Sequence, residues 1–427
     1  MKKLLLLAPG CALSLVLFAQ TVPGSLSTAE VERVERTLSS DDMRGRRAFT
    51  PDIDRAADFI ASEFRAAGLQ PLPGNRTYLQ EFWMVQPKFI SASGTMDGEA
   101  VDASSLVVIT CQPELKVDDH SGYEKVRMAP DANLFAEARK YLLSGRNQVV
   151  LVPTKLAANF LRLTGMKRGL FKTDKSLVFV LTDKDPVTYS FEAHHQIREQ
   201  RLANVVGILP GRSRPKEYVI FSGHYDHLGV TQPVNGDSIY NGANDDAAGT
   251  TAVILLARYF KQKGDNERTL VFAAFTAEEL GAYGSQYFSR QFDPAQVMAM
   301  FNIEMIGTQS KWGKDAAYIT GYDKTDMGQI MQKNLAGTGF TFYPDPYTDQ
   351  HLFYRSDNAT LARQGVPAHT ISTSKMDNEP NYHKVSDQIE TLDLDNMARI
   401  IQSIALSART IISGQDTPTR VHVEDLQ

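Results

Sequence analysis

Apolar residues follow two different spacings along this chain, and the change from one to the other divides it. In the first stretch Ile53, Ala56, Ala57, Ile60 and Phe64 recur at intervals of three and four, the spacing of an amphipathic helix. Thr50 can cap that helix, Pro51 suits its first turn and Gly68 its C-terminal cap. An earlier helix starts at Ser27, where S-T-A-E places Glu30 as the partner in a capping box, and it is expected to end near Leu38. From about 85 to 200 the runs become short and strand-like, at 105–110, 147–153 and 176–182, with one helix-like stretch, DANLFAEARKYLLSG, between them. This region reads as a small insert. His194 and His195 near its end are read as lying on a helix, where neighbours point apart, and therefore as surface residues.

From about 201 strand, loop and helix repeat. Strands are expected at ANVVGILPG, EYVIFSG, RTLVFAAFT and VMAMFNIE, and helices at 247–262, 281–290, 324–336, 357–364 and 392–412. Such alternation implies an α/β layer fold with a largely parallel central sheet. Ligands of such sheets bind beyond the carboxyl ends of the strands. His224, Glu278, Glu279 and Glu304 all lie at or just after a strand's carboxyl end, so four polar groups converge on one sheet edge.

Composition narrows the picture. The chain has 427 residues, 42% hydrophobic and 22% charged, which are ordinary globular values for one large domain with an insert. The net charge of −5 gives no electrostatic reason to expect nucleic acid or an anionic membrane as partner. Lys2 and Lys3 precede the apolar stretches Leu4 to Leu7 and Cys11 to Ala19, the layout of a secretory signal peptide. Cleavage after Ala19 predicts an exported, periplasmic or secreted protein. No other segment reaches the roughly 18–20 apolar residues needed to span a membrane. Cys111 would then be the one remaining cysteine, and VVITCQPEL reads as a buried strand end with an inert thiol.

The candidate chemistry is a set of imidazoles and carboxylates. His224 stands in SGHYDH, and Asp226, two residues on along an extended chain, points the same way and can fix the imidazole. His227, one further on, is read as structural. In NGANDDAAG, Asp246 suits a helix N-cap, and Asp245 is the better bridging carboxylate. Glu278 and Glu279 are adjacent acids at the end of a hydrophobic strand, costly without a cation nearby. One can bind metal while its neighbour takes a proton from water. Glu304 lies inside the apolar run MAMFNIEMIG, and His383 arrives from a polar loop, EPNYHKVSD. Tyr382 beside it can donate a hydrogen bond to a developing oxyanion, or simply pack. Nitrogen and carboxylate oxygen donors suit zinc, and carboxylate-rich sites also accept Mn or Co.

This ordered set resembles the co-catalytic zinc exopeptidases that include the bacterial leucyl aminopeptidases and the glutamate carboxypeptidases. The likeness covers roughly residues 200–400, and the helices at 27–68 resemble the family's N-terminal lead-in. It implies a three-layer α/β/α fold with a mostly parallel mixed central sheet and a small inserted α+β domain. The division expected is a signal peptide at 1–19, an N-terminal part of the peptidase domain at 20–84, an insert at 85–200 and the catalytic domain at 201–427. The insert stands where some relatives carry a protease-associated domain. The resemblance also implies two zinc ions bridged by Asp245. His224 and Glu304 would complete one ion, Glu279 and His383 the other. Glu278 would be the general base, Asp226 a support for His224, and Arg355 in RSDN a contact for the substrate or its carbonyl. Glu304 replaces the Asp of the best-known members, Ala248 a common Ser and Asn358 a common His.

The expected function is therefore hydrolysis of terminal peptide bonds by a metallopeptidase, an aminopeptidase first and a carboxypeptidase second, with peptides as substrates. A glutaminyl cyclase-like enzyme needs only one ion, and a non-catalytic peptide-binding protein should have lost ligands or the base. Neither fits a complete set. Oligomeric state has no signature in the sequence.

Overall fold

The computed structural model describes residues 24–426. The signal-peptide reading, with Cys11, lies outside that span. Ser27 and Thr50 cap α1 (Thr28–Leu38) and α2 (Pro51–Ala67) through their side chains, and Gly68 closes α2 in the left-handed conformation at φ 76°.

Two long strands follow, β1 (Leu79–Met96) and, after the second sheet, β6 (Tyr189–Leu209). They pair antiparallel from Leu79↔Val205 to Tyr189↔Met96. Positions 85 and 200 thus fall inside continuous strands. Between them a separate four-stranded sheet forms from β2 (Leu106–Ile109), β3 (Glu124–Arg127), β4 (Gln148–Val152) and β5 (Leu177–Leu181), in the order β2-β5-β4-β3. Helix α3 (Leu134–Leu143), capped by Asn133, packs Leu134 and Ala138 against Val107, Ile109, Val150 and Phe179 on one face of that sheet. Its other face packs Val108, Val149 and Val178 against Phe191 and Ala193 of β6. His194 and His195 are on β6, not on a helix. His194 meets Glu192 at 3.0 Å, whereas His195 is buried, with Lys167 Nζ 3.2 Å away. Cys111, half-buried past the end of β2, faces the Phe171 carbonyl, and burial pushes its thiol up.

The main sheet continues through β7 (Arg214–His224), β8 (Arg268–Phe275), β9 (Val297–Ile303), β10 (Ala316–Ile319), β11 (Thr341–Pro344) and β12 (Ala368–Ser372). Its order is β11-β10-β12-β9-β7-β8-β6-β1. The central pairs β12-β9, β9-β7 and β7-β8 are parallel, while β8-β6 and β12-β10 are antiparallel. The last three strands escape the sequence reading because AAYI, TFYP and AHTIS are short and lack the unbroken Val-, Ile- and Leu-rich runs of the insert strands LVVI, QVVLV and LVFVL.

Strand residues alternate between two cores. Phe221, Phe272 and Phe301 face one side, where they stack at 5.0–5.7 Å and meet α1, α2, α4 (Ala248–Lys263), α6 (Met327–Leu335) and α8 (Leu394–Ser407). Ile220, Val271 and Met300 face the other, against α5 (Tyr283–Ser289) and α7 (Asn358–Ala362). Helices on both faces of a mixed sheet are the layered α/β arrangement expected, with a small second sheet appended. The stretch read as one helix over 392–412 breaks at Ala408 into α8 and a short turn, Arg409–Ile412.

One acid sits deep in the larger core. Glu35 is fully buried on α1, its Oε2 accepting from Thr251 at 2.9 Å and its Oε1 without a hydrogen-bond partner. Burial raises its pKa from 4.5 to about 8. Between those values the folded chain holds a proton that the unfolded chain has released, so stability from this position falls as pH rises. Glu35→Gln keeps the Thr251 contact and removes the titration. Its melting temperature relative to wild type should rise between pH 5 and pH 8, by the equivalent of about 3–4 kcal/mol, as read by calorimetry at both pH values.

Candidate active site

The parallel strands deliver their C-terminal residues to one edge. His224 ends β7, and its Nε2 lies 3.2 Å from Asp245 Oδ1. Asp245 sits in the turn Ala243–Ala247, entered through Gly242 at φ 57°. That turn is pinned from three sides. Asp387 accepts from the Asn244 and Asp245 main-chain N–H groups at 2.8 and 3.0 Å. Asn244 Oδ1 accepts from Gly307 N at 2.8 Å. Buried Arg46 donates to the Asn241 and Gly242 carbonyls at 2.5 and 2.8 Å, and also to those of Leu38 and Tyr225. Asp246, expected to cap a helix, ties three elements together. It accepts from Gly249 N and Met305 N at 3.0 Å and from His224 N at 3.1 Å.

Glu278 and Glu279 follow β8, and their N–H groups donate to the two carboxylate oxygens of Asp226 at 3.0 and 3.4 Å. Asp226 thus positions the acid pair. Its carboxylate only flanks His224, at 3.8 Å, while the hydrogen bond to Nδ1, at 3.1 Å, involves the Asp226 main-chain carbonyl. Glu304 follows β9, and its atoms group with those of His224 and Asp245. His383 reaches in from its loop, with Nε2 3.1 Å from Asp245 Oδ2 and 3.3 Å from Glu279 Oε2. The Tyr382 ring stacks on it at 3.9 Å. Three non-glycine residues beside these ligands, Ala277, Met305 and His383, hold left-handed φ of 53–55°, strain of the kind that gathers at functional sites.

His227 belongs in this constellation. Its Nδ1 is 2.8 Å from Glu279 Oε1, and it groups with Asp245 and Glu279. The sequence reading set it aside as structural. Its signal was the HxxH spacing with His224, which only the turn after β7 brings to one place. Asp357 was also missed. It is buried between Arg355 and Asn358 of the RSDN stretch, and neither carboxylate oxygen has a hydrogen-bond partner.

The donor set therefore offers two groups sharing Asp245, one with His224 and Glu304, the other with His227 and Glu279, each with its ligand atoms within 4.8 Å of one another. Glu304 Oε2 is buried without a hydrogen-bond partner, and His224 Nε2, Asp245 Oδ2 and Glu279 Oε1 are buried facing only other members of the donor set, as expected of atoms shaped to hold a cation. Imidazole nitrogen and carboxylate oxygen fit zinc. Electrostatics agree. Burial raises Glu278 well above the usual carboxylate range, with Glu304, Asp357 and Glu279 adding to it against His224. Burial likewise takes Glu304 to about 7. Burial also opposes charge on Asp245, but contacts with His224 and His383 override it and hold that carboxylate low.

Residues 204–408 match the profile of peptidase family M28. This segment belongs to that family. The chain is 29% identical over 203 residues to a protein named probable leucine aminopeptidase from Trichophyton verrucosum, covering 45% of this chain and 53% of that one. It is 37% identical over 119 residues to a probable zinc metalloprotease from Pyricularia oryzae, covering 27% and 23%. The matched stretch thus spans about half the length of the first relative and less of the second. In fold, the chain is similar to a zinc aminopeptidase from Bacillus subtilis, with a TM-score of 0.55, 16% identity and 92% and 96% of the two chains covered. An aminopeptidase from Aneurinibacillus sp. strain AM-1 gives 0.53, 16%, 94% and 97%. Among the described residues no helix is long and apolar enough to cross a membrane.

A narrow cavity of about 60 Å³ adjoins the M28 donor set, lined by Glu304, Tyr318, Arg355, Met376, Tyr382 and His383 among others. Arg355 and Tyr382 are therefore placed at the rim.

If the buried carboxylates are held by cations, stripping metal leaves them repelling one another. Chelated protein should melt several degrees lower than protein with zinc restored, since a ligand bound only to the folded state stabilises it. In Asp245→Ala, which removes the residue common to both groups, restored zinc should shift the melting temperature little, as differential scanning fluorimetry would show.

Proposed function

We propose that this protein is an exported zinc aminopeptidase with two zinc ions per chain, removing residues from the free amino end of peptides. The observation that carries the reading is Asp245, shared by two imidazole–carboxylate groups at the edge where Glu278 also stands. His224 and Glu304 would hold one ion; Glu279 and His383, with His227 beside them, would hold the other. When bound, two such ions supply Lewis acidity toward a carbonyl oxygen and lower the pKa of water.

The chain's own groups divide the remaining work. Glu278 takes the proton from the attacking water and passes it to the leaving amine, which requires a carboxylate that holds a proton between the two steps. Burial and the neighbouring acids raise its pKa in that direction. Asp226 fixes Glu278 through the main-chain hydrogen bond at 3.0 Å. Tyr382 keeps its hydroxyl proton, because burial and the carboxylates around it raise its pKa, and it serves as donor to the carbonyl oxygen. The acid-rich floor of the narrow cavity suits a terminal ammonium. A carboxypeptidase would have to bring a carboxylate against Asp245, Glu278 and Glu304, which line that cavity.

Glu278→Gln should retain wild-type zinc content while kcat on leucine p-nitroanilide falls by about three orders of magnitude or more, as removal of a general base implies. Cleavage of N-acetylated dipeptides in preference to free-amine ones by the wild type would favour the carboxypeptidase instead.

A further inference from the structure

A wider cleft of about 530 Å³ leads away from Glu278 and Glu279 toward the second sheet. Four arginines line it, and their origins differ. Arg139 comes from α3 of the insert, Arg290 from the end of α5, and Arg355 and Arg363 flank α7. The only acids in the lining are Glu278 and Glu279, which belong to the donor set.

None of the four arginines forms an ion pair with a carboxylate among the described residues. This sets them apart from nearby cations that are neutralised. Arg146 is paired with Glu124 at 3.0 Å, and Lys172 with Glu199 at 2.7 Å. Three of the cleft arginines are held by neutral groups instead. Arg290 lies over the Phe171 ring at 4.3 Å, Arg363 over the Tyr354 ring at 5.9 Å, and Arg355 Nη1 donates to Gln350 Oε1 at 3.4 Å. Aromatic faces and an amide orient a guanidinium without cancelling its charge. Partial burial holds Arg363 below its usual range, and repulsion from nearby Arg139 adds to it. Like charges gathered on one cleft from three chain segments, with no internal counterion, are arranged for an anion that arrives with the substrate.

The direction follows from the site. A terminal ammonium placed in the narrow acid-lined cavity leaves the rest of the peptide to run past Glu278 into the wider cleft. An extended chain advances about 3.3–3.6 Å per residue, so a second or third residue lies well beyond the acid pair. Resting on the aminopeptidase reading above, we propose that Arg139, Arg290, Arg355 and Arg363 form a carboxylate subsite on the leaving-group side. The preferred substrates are then short peptides with a free C-terminus, or peptides acidic in the second or third position. The insert takes part in selection through Arg139.

The test uses the full zinc-loaded protein and three related peptides of one length. Leu-Ala-Glu carries both carboxylates, Leu-Ala-Gln only the terminal one, and Leu-Ala-Glu-amide only the side-chain one. Leu-Ala-Gln-amide is the neutral reference. Wild type should cleave Leu-Ala-Glu with kcat/KM at least about tenfold above the reference, mostly through KM, with the advantage shrinking as salt rises. The two singly charged peptides show which carboxylate is taken, and an advantage for either supports the subsite. In the double variant Arg139→Gln, Arg363→Gln, checked for unchanged melting temperature and zinc content, that advantage should fall to within about threefold of unity. Calorimetric titration of the dipeptide Ala-Glu reads the same subsite without turnover. It should bind wild type and be lost in the double variant. Binding that follows this pattern without cleavage of any peptide would sustain the subsite and sink the peptidase reading. Equal cleavage of charged and neutral peptides, or an advantage the double variant keeps, would overturn the subsite and leave the peptidase reading standing.

Discussion

Carboxylates do not gather in a protein interior unless positive charge gathers with them. At the C-terminal edge of this sheet Asp226, Asp245, Asp246, Glu278, Glu279, Glu304 and Asp357 are packed within one neighbourhood, with three imidazoles among them. Neutral N–H donors satisfy some of these acids, as at Asp226 and Asp246. The remaining oxygens, at Asp245, Glu279 and Glu304, lie together and meet no N–H or O–H donor beyond the imidazoles of His224, His227 and His383 and the Ser356 hydroxyl. An uncompensated buried charge costs several kcal/mol, whereas a divalent cation offsets it directly.

The scaffold serves it by rigidity. The turn bearing Asp245 is held by Asp387, by Arg46 and, through Asn244, by Gly307, from segments far apart in sequence. Arg46 matters most for long-range order, because one guanidinium satisfies carbonyls of the N-terminal helix, the strand end after β7 and the metal-site turn at once. Close packing completes the clamp. A Cβ at Gly249 would collide with the Ile303 carbonyl and the Asp246 carboxylate, so only glycine lets α4 approach β9.

The sequence displays what depends on local period and on residue chemistry. Helices α1 and α2 could be bounded to within a residue, since Ser27, Thr50, Pro51 and Gly68 are caps whose physics is local. His224, Asp245, Glu278, Glu279, Glu304 and His383 stood out because acids and histidines at the ends of apolar strands are expensive. What stayed hidden depends on tertiary approach. His227 looks like any residue in a turn until the chain folds it against Glu279. Arg46 and Asp387 carry no spacing signal, because their partners are main-chain atoms. The long strand bearing His194 and His195 was misread because FEAHHQIREQ is polar and charged, with helix-like composition, and its strand state comes from pairing with β1. The arginine cleft needs three segments to meet, and no one of them is unusual alone.

The most direct test of the charge-balance account is a crystal structure of the zinc-loaded protein with anomalous data collected at the zinc edge. The account predicts two peaks on either side of Asp245, one against His224 and Glu304 and one against Glu279 and His383. A single peak, or none with Asp245, Glu279 and Glu304 still gathered in the same buried arrangement, would contradict it.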